Sequence, residues 1–427
     1  MQSDRVYLCI DLKSFFASVE CVERGLDPMK TNLVVADPER EKGTICLAVS
    51  PAMKALGVRN RCRVFEIPRS IKYIMAPPRM QKYIDYAADI YGIYLRYISK
   101  DDIFVYSIDE AFIDITPYIK KYSMNGREFA LFLMNKISDE LGIRATAGIG
   151  TNLYLTKIAL DITAKHSPDF IGYLDAESFR ETLWDHRPLT DFWRIGEGTA
   201  RRLEKHGIYT MRQIAMMDED ILYRLFGIDA ELMIDHAWGR EPTTMADIKA
   251  YRPKTNSLTS GQVLMRDYSF DEGRLILREM MDLLALDMVD KNVVTSSVSL
   301  WVGYSGRIGA EPARGSASLD IRTNSDRILI PAVTKIYDRI VDRNLPVKRI
   351  NISVNALESG DSEPVQVSML PECNNDELLD KSRRIQKAVL GLKHRYGPDA
   401  VLKGMNFEAA GTTRQRNHQI GGHKSGM

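Results

Sequence analysis

The sequence predicts an α+β chain of several domains, and three observations carry that prediction. Short β-rich apolar runs alternate with amphipathic helical stretches over residues 5–164; residues 186–240 lose their strands; and from Asn256 a β-α-β-β-α-β order appears. A length of 427 residues, 44% hydrophobic and 27% charged, is enough for several cores. The net charge of +1 gives no bulk attraction to a polyanion, so any nucleic-acid surface must come from local asymmetry. The cysteines Cys9, Cys21, Cys46, Cys62 and Cys373 form no CxxC pair, and several sit in apolar runs. Reduced thiols in a cytosolic chain explain them better than a zinc site. No basic segment followed by an apolar region opens the chain, and no window reads as a membrane span. A cytoplasmic protein without membrane association is expected.

Residues 5–12 read as a buried strand, and Lys13 to Arg24 as a helix stopped by Gly25 in a left-handed position. Residues 32–36 and 44–49 read as short strands. Ser50-Pro51-Ala52-Met53-Lys54-Ala55-Leu56-Gly57 carries an N-cap, a first-turn proline and a terminating glycine. Such a helix start can take an anion with Lys54 one turn in, though an ordinary surface helix looks the same. A long helix over 79–99 spaces Tyr83, Tyr86, Tyr91 and Tyr94 as core packing does. An amphipathic helix covers 127–141, a small-residue strand runs from Arg144 to Gly150, and a helix over 152–164 bears Lys157.

Between the long helix and the amphipathic one lies Phe104-Val105-Tyr106-Ser107-Ile108-Asp109-Glu110-Ala111-Phe112-Ile113-Asp114-Ile115. A regular strand would point Asp109 and Glu110 to opposite faces, so joint service needs a bend, such as the tip of a hairpin. Taken by itself, an Asp-Glu pair fits a solvated turn between two core strands better. Asp11, at the end of the first apolar run, adds a third acid at a strand end. Three such carboxylates suit Mg²⁺, which prefers oxygen ligands. Two ions about 3.5–4 Å apart can clamp the attacking and leaving oxygens of a phosphoryl transfer.

The stretch from Arg194 to Ile208, with Gly196 and Gly198, reads as a helix-hairpin-helix whose glycines let backbone N–H groups approach a phosphate. Residues 241–254, with Pro242 and Pro253, read as a linker. The β-α-β-β-α-β unit that follows has strands near 257–264, 295–303, 316–323 and 347–356, with helices near 271–291 and 326–342. Beyond it lie a short motif, a helix near 376–395, and a tail from Gly411 that carries Arg414, Arg416 and Lys424 but no acid.

On the segments Asp11 to Glu20, Ser50 to Lys54, Tyr106 to Ala111, and Gly148-Ile149-Gly150 followed by Lys157-Ile158-Ala159, the chain resembles the Y-family (translesion) DNA polymerases. These form the UmuC/DinB superfamily, and the likeness is greatest to the UmuC-like branch of Gram-positive bacteria. The resemblance implies a right-hand polymerase: palm over 1–24 and 79–166, fingers over 25–78, a helical thumb over 167–241, a linker over 242–254, a ferredoxin-like little finger over 255–358, and a C-terminal extension over 359–427. It implies that Asp11, Asp109 and Glu110, with the backbone carbonyl of Leu12, hold two Mg²⁺ ions. Phe15, Phe16, Ser50, Lys54 and Lys157 would contact the deoxynucleoside triphosphate, Phe16 as the gate under the sugar. Arg194, Gly196 and Gly198 would contact primer-template DNA. Gln366, Met369 and Leu370, in a stretch bounded by Pro364 and Pro371, resemble the sliding-clamp-binding peptide of bacterial polymerases. A monomer is expected.

Four positions depart from the family pattern. Pro51 and Lys54 stand where many relatives carry tyrosine and arginine, Lys13 stands where a second acid is usual, and Arg194 replaces the first glycine of the hairpin. Two other readings compete: a non-catalytic DNA-binding scaffold that recruits replication or repair proteins, and a palm-fold nucleotidyl cyclase. The intact acid triad opposes the first, and a cyclase needs neither the hairpin nor the separate β-rich domain. Primer extension with Mg²⁺ separates the polymerase from the scaffold.

Overall fold

A computed structural model of the chain describes residues 5–39, 43–253, 256–306, 308–360 and 375–426, with only the backbone for 375–380. Apart from the last two residues, it divides into two compact units, Met1–Arg252 and Pro253–Ser425.

In the first unit a five-stranded sheet has the order β5-β6-β1-β7-β8. Its strands are β1 (Tyr7–Leu12), β5 (Ile103–Val105), β6 (Glu110–Asp114), β7 (Ala145–Gly150) and β8 (Ile171–Leu174). Strand alternation sorts β1 by face. Leu8, Ile10 and Leu12 join a large core with the helices α1 (Phe15–Val22), α3 (Met80–Leu95) and α5 (Gly126–Leu141). Tyr7 and Cys9 turn to the other face, where they pack with Phe112, Leu153 and Leu160. The tyrosines of α3 serve packing as their spacing predicts, with Tyr83 and Tyr94 buried. Gly25 adopts φ +68° just past α1.

Between α1 and α3 lies a smaller layer. Strands β2 (Leu33–Val35), β3 (Ala48–Val49) and β4 (Ile74–Ala76) form a sheet of order β3-β2-β4, with α2 (Pro51–Ala55) following β3. A short helix α4 (Thr116–Lys121) links β6 to α5. After β7 comes α6 (Leu153–Ile158), which passes into a π-helical turn over Ala159–Thr163. This segment lies directly on the sheet because the strands beneath it carry glycine. A Cβ on Gly148 would stand 2.2 Å from the Thr156 carbonyl oxygen, and one on Gly172 would stand 2.3 Å from that of Ala159.

Five further helices complete the unit: α7 (Ala176–Thr182), α8 (Glu197–Glu204), α9 (Met211–Ala215), α10 (Glu219–Phe226) and α11 (Asp229–Ala237). They share a core with the outer side of α6, including Leu155, Ile158, Phe179, Phe192 and Leu203. A sixth helix, α12 (Met245–Ala250), differs from expectation. Its span was read as linker, yet Met245 packs with Tyr7, Cys9 and Phe112, and the Lys249 ammonium donates to the Lys100 carbonyl. The strand β8 is also new. It pairs in parallel with β7, so the five-stranded sheet extends beyond residue 166, the expected end of the palm.

The second unit begins with the expected ferredoxin-like pattern. Strands β9 (Ser257–Tyr268), β10 (Val293–Tyr304), β11 (Ala313–Thr323) and β12 (Val347–Asn355) form an antiparallel sheet of order β11-β10-β12-β9, and β13 (Glu358–Ser359) pairs with β10. Helices α13 (Phe270–Asp290) and α14 (Asp326–Ile340) bury Ile276, Met280, Val333 and Ile336 against Val298, Leu300, Ile350 and Ile352. Residues 375–426 are no loose tail. They comprise α15 (Asn375–Tyr396), α16 (Thr413–Asn417) and the pair β14 (Gln419–Ile420) and β15 (His423–Lys424). Buried Glu279 on α13 accepts hydrogen bonds from Asn406 Nδ2 at 2.8 Å and from the Thr412 amide at 2.7 Å, which pins this segment to the domain.

Candidate active site

The acids converge through strand register. Asp11 lies directly opposite Glu110 in the β1–β6 pair, and Cys9 opposite Phe112, so both carboxylates leave the same face of the sheet. The bend that the Asp-Glu pair requires is present. Glu110 opens β6, while Asp109 sits in the preceding turn, closed by amides of Tyr106 and Ser107 donating to the Glu110 carbonyl. The Leu12 amide donates to the Asp109 carbonyl at 2.9 Å, tying the turn to the end of β1. The Leu12 side chain is in the core, leaving only its main chain for ligation.

Asp109 and Glu110 each have side-chain partners. Ser107 Oγ donates to Asp109 Oδ1 at 2.6 Å. Glu110 accepts from Cys9 Sγ at 3.3 Å through Oε1 and from Lys157 Nζ at 2.8 Å through Oε2. Lys157 also reaches Asp161 Oδ1 at 3.0 Å. Burial, then the charges of Asp109 and Glu110, push the Asp11 carboxyl up to about 7. Burial and the charge of Glu110 push the Cys9 thiol up, so it stays a neutral donor.

Among the described residues no three acid, cysteine or histidine side chains are gathered closely enough to hold an ion as they stand. The donor set nevertheless suits a hard divalent cation: it is all oxygen, it comes from two adjacent strands and their turn, and its mutual repulsion raises Asp11 toward proton binding. A cation would relieve the same repulsion. Lys54 stands exposed near this group; crowding by protein lowers its ammonium pKa, while Asp11 and Asp109 act in the opposite sense. Lys13, in place of the family's acid, puts its ammonium 3.4 Å from the centre of the Phe170 ring.

The remaining predicted nucleotide residues divide. Phe16 is half-buried and stacks on Tyr83 with ring centroids 4.5 Å apart and planes 15° apart. Phe15 is core, 2% exposed, so its side chain has no face to offer a ligand. Ser50 is fully buried and its hydroxyl is used internally: it donates to the Thr31 carbonyl and accepts from the amides of Leu33 and Met53. It fixes the strand-to-helix turn that projects Lys54, and α2 is only five residues long. Lys157, expected to be ready for a triphosphate, is instead engaged by two carboxylates.

Sequence reasoning missed the brace behind Phe16. Glu20, fully buried, takes both a forked pair from Arg79 at 2.9 Å each and the Tyr83 hydroxyl at 2.8 Å, with Arg24 as a further partner. Desolvation opposes its ionisation, but these donors hold its carboxyl below the usual range. Asp161 was also missed, although its spacing of four from Lys157 is the signature of a helical ion pair.

At the thumb hairpin, Arg194 is exposed and adopts φ +70°, which explains why glycine is usual there. Gly196 and Gly198 are exposed, and a Cβ on either would meet open space. The clamp-like residues Gln366, Met369 and Leu370 lie outside the described residues.

Comparison with known proteins places this geometry. Residues 10–161 match the impB/mucB/samB family, and residues 255–369 match the C-terminal domain of the same family. The chain is 30% identical over 421 residues to UvrX of Bacillus subtilis, a protein named for repair of ultraviolet damage, covering 98% of this chain and 97% of that one. The chain belongs to the impB/mucB/samB family. It is thus a member of the UmuC/DinB, or Y-family, superfamily. It is also similar to DNA polymerase IV 2 of Bacillus subtilis, 28% identical over 99% of this chain and 100% of that one. Among solved structures it matches a chimera of Y-family DNA polymerases with a TM-score of 0.62 at 19% identity, covering 82% of this chain and 98% of the other. That match supports the right-hand fold of palm, fingers, thumb and little finger. No helix among the described residues is long and apolar enough to cross a membrane.

Proposed function

We propose that this Y-family chain extends a DNA primer by template-directed nucleotidyl transfer at Asp11, Asp109 and Glu110. It is a DNA-directed DNA polymerase of the translesion type. The observation that carries the site assignment is the pairing of Asp11 with Glu110 across β1 and β6, with Asp109 in the turn between β5 and β6. Family members generally depend on a divalent metal; here the finer reading is two Mg²⁺ ions held by those acids and the Leu12 carbonyl. When bound, such ions supply Lewis acidity at the primer 3′-hydroxyl and at the triphosphate.

The chain's own residues do the rest. Lys54 projects from the Ser50 cap toward the acids and neutralises triphosphate charge as a point charge, without an arginine fork. The Phe16 ring, backed by Tyr83, forms a flat wall that offers a 2′-hydroxyl neither space nor partner. The exposed hairpin at Arg194, Gly196 and Gly198 grips phosphates without reading bases, so DNA affinity falls with salt and varies little with sequence. The domain boundaries follow the family order, with the palm extended through β8 and the first unit closed by α12. The protein acts in the cytoplasm as a monomer, and Gln366, Met369 and Leu370 tether it to a sliding clamp. Their joint replacement by alanine leaves extension of short oligonucleotides intact and removes clamp-dependent stimulation.

The test is primer extension with Asp109→Ala and Glu110→Ala. Both variants lose extension and keep DNA binding, because these groups hold ions and not duplex. Normal turnover in both sinks the assignment.

A further inference from the structure

Lys157, proposed to meet a triphosphate, is already held by two carboxylates. Its side chain and that of Glu110 are each 9% exposed, and its ammonium sits between Glu110 Oε2 at 2.8 Å and Asp161 Oδ1 at 3.0 Å. The second oxygen of Glu110 is taken by the Cys9 thiol. A carboxylate has about four lone-pair sites, so ligation of a cation by Glu110 sets that cation and the lysine ammonium on one small group. Like charges a few ångströms apart repel, and one of them must retreat. Asp161 offers the retreat. It belongs to the π-helical turn that follows α6, faces Lys157 from one turn further on, and is more open than Glu110, with 33% of its side chain exposed.

We infer that Asp161 is a positioning residue: it draws the Lys157 ammonium off Glu110 when a divalent cation binds and so sets the cation affinity of the acid cluster. The inference rests on the two-metal reading above and deepens it. Lys157 then passes from the competitor of the cation to a counter-charge for the triphosphate that the cation brings. No covalent step is involved; the ammonium exchanges one carboxylate for another. Glu110 and Asp161 are the carboxylates within hydrogen-bonding reach of Lys157, and removal of one leaves the lysine wholly to the other.

The experiment is a Mn²⁺ titration of the full-length protein, without nucleotide or DNA, followed by electron paramagnetic resonance. Asp161→Asn weakens Mn²⁺ binding by about tenfold, the scale on which partners of metal ligands act. Lys157→Met, which removes the competitor with little change of volume, tightens it. In the Lys157→Met background Asp161→Asn has no further effect, and Asp161→Glu restores binding in the parent. Circular dichroism confirms that each variant is folded. Equal losses from Asp161→Asn in the two backgrounds would show that Asp161 acts by its own charge and would overturn the inference alone, as would unchanged binding in both. Absence of Mn²⁺ binding by the parent protein overturns the two-metal reading and this inference with it.

Discussion

Substituting Gly148 by alanine tests whether the helix bearing Lys157 depends on direct contact with the sheet. The added Cβ would lie 2.2 Å from the Thr156 carbonyl oxygen, 2.4 Å from the Leu160 amide nitrogen and 2.8 Å from Leu160 Cβ. Ordinary contact begins near 3.4 Å. The two nearest obstacles are backbone atoms and the third is a Cβ, so no rotamer change relieves them, and the segment from α6 into the π-helical turn must withdraw by about 1 Å. Overpacking of this kind costs about 1–3 kcal/mol, and the rigid backbone here places Gly148→Ala at the upper end. At about 2–4 °C per kcal/mol for a domain of this size, the melting temperature falls by roughly 6–12 °C. Lys157 moves with the helix, and a displacement of about 1 Å at a catalytic centre costs on the order of 10²-fold in rate. Differential scanning calorimetry and single-turnover extension measure the two effects. Gly92→Ala is the control, since Gly92 is exposed within α3, its Cβ meets open space and glycine is a poor helix former. A Gly148→Ala protein that melts with the parent and extends at its rate refutes the close-packing argument.

Other expectations follow from the same geometry. Phe16→Ala removes the wall stacked on Tyr83 and raises ribonucleotide incorporation relative to deoxynucleotide; unchanged discrimination in competition assays returns Phe16 to a packing role. Arg194→Gly relieves a left-handed backbone at φ +70° and stabilises the protein by about 1 kcal/mol in urea unfolding, while weakening DNA affinity at low salt through the lost charge. Glu241 is desolvated, yet hydrogen bonds from His236 and Thr243 lower its carboxyl to about 2. A depressed acid contributes stability above its unfolded pKa of about 4.3 that is lost as pH falls through the folded value. Acid unfolding of the parent should therefore show a loss between about pH 4 and pH 2 that Glu241→Gln lacks.

Much of this was legible in the sequence because local pattern and tertiary role agreed. The continuous apolar run marked residues 5–12 as a buried strand with Asp11 at its end, and the Asp-Glu pair demanded the turn that β5 and β6 form. What escaped depended on contacts between distant segments. β8 is a four-residue strand whose reason to exist is β7 beside it, and α12 is helical where prolines on either side suggested a linker. The resemblance implied that Ser50 contacts the triphosphate, but beyond its cap the hydroxyl serves Thr31 and Leu33 nineteen and seventeen residues away. The resemblance pointed Lys157 at a triphosphate. Only the fold shows that the neighbouring strand presents Glu110 to it.

The ion pair between Glu20 and Arg79 also concerns the path of the chain. The two residues are 59 apart in sequence, one near the end of α1 and the other just before α3, so they fasten together the two stems of everything between. The enclosed stretch has its own three-stranded sheet and its own small core around Val34, Cys46, Val49 and Met53. It therefore leaves the catalytic sheet and returns at nearly one point, a loop whose ends stay joined whatever its contents do. The entropic cost of lengthening such a loop grows only logarithmically, by about 0.6 kcal/mol per doubling. Insertion or exchange of material there is accordingly cheap for the polymerase. This hand can evolve new fingers without re-laying the acids in its palm, provided that one buried glutamate keeps its arginine.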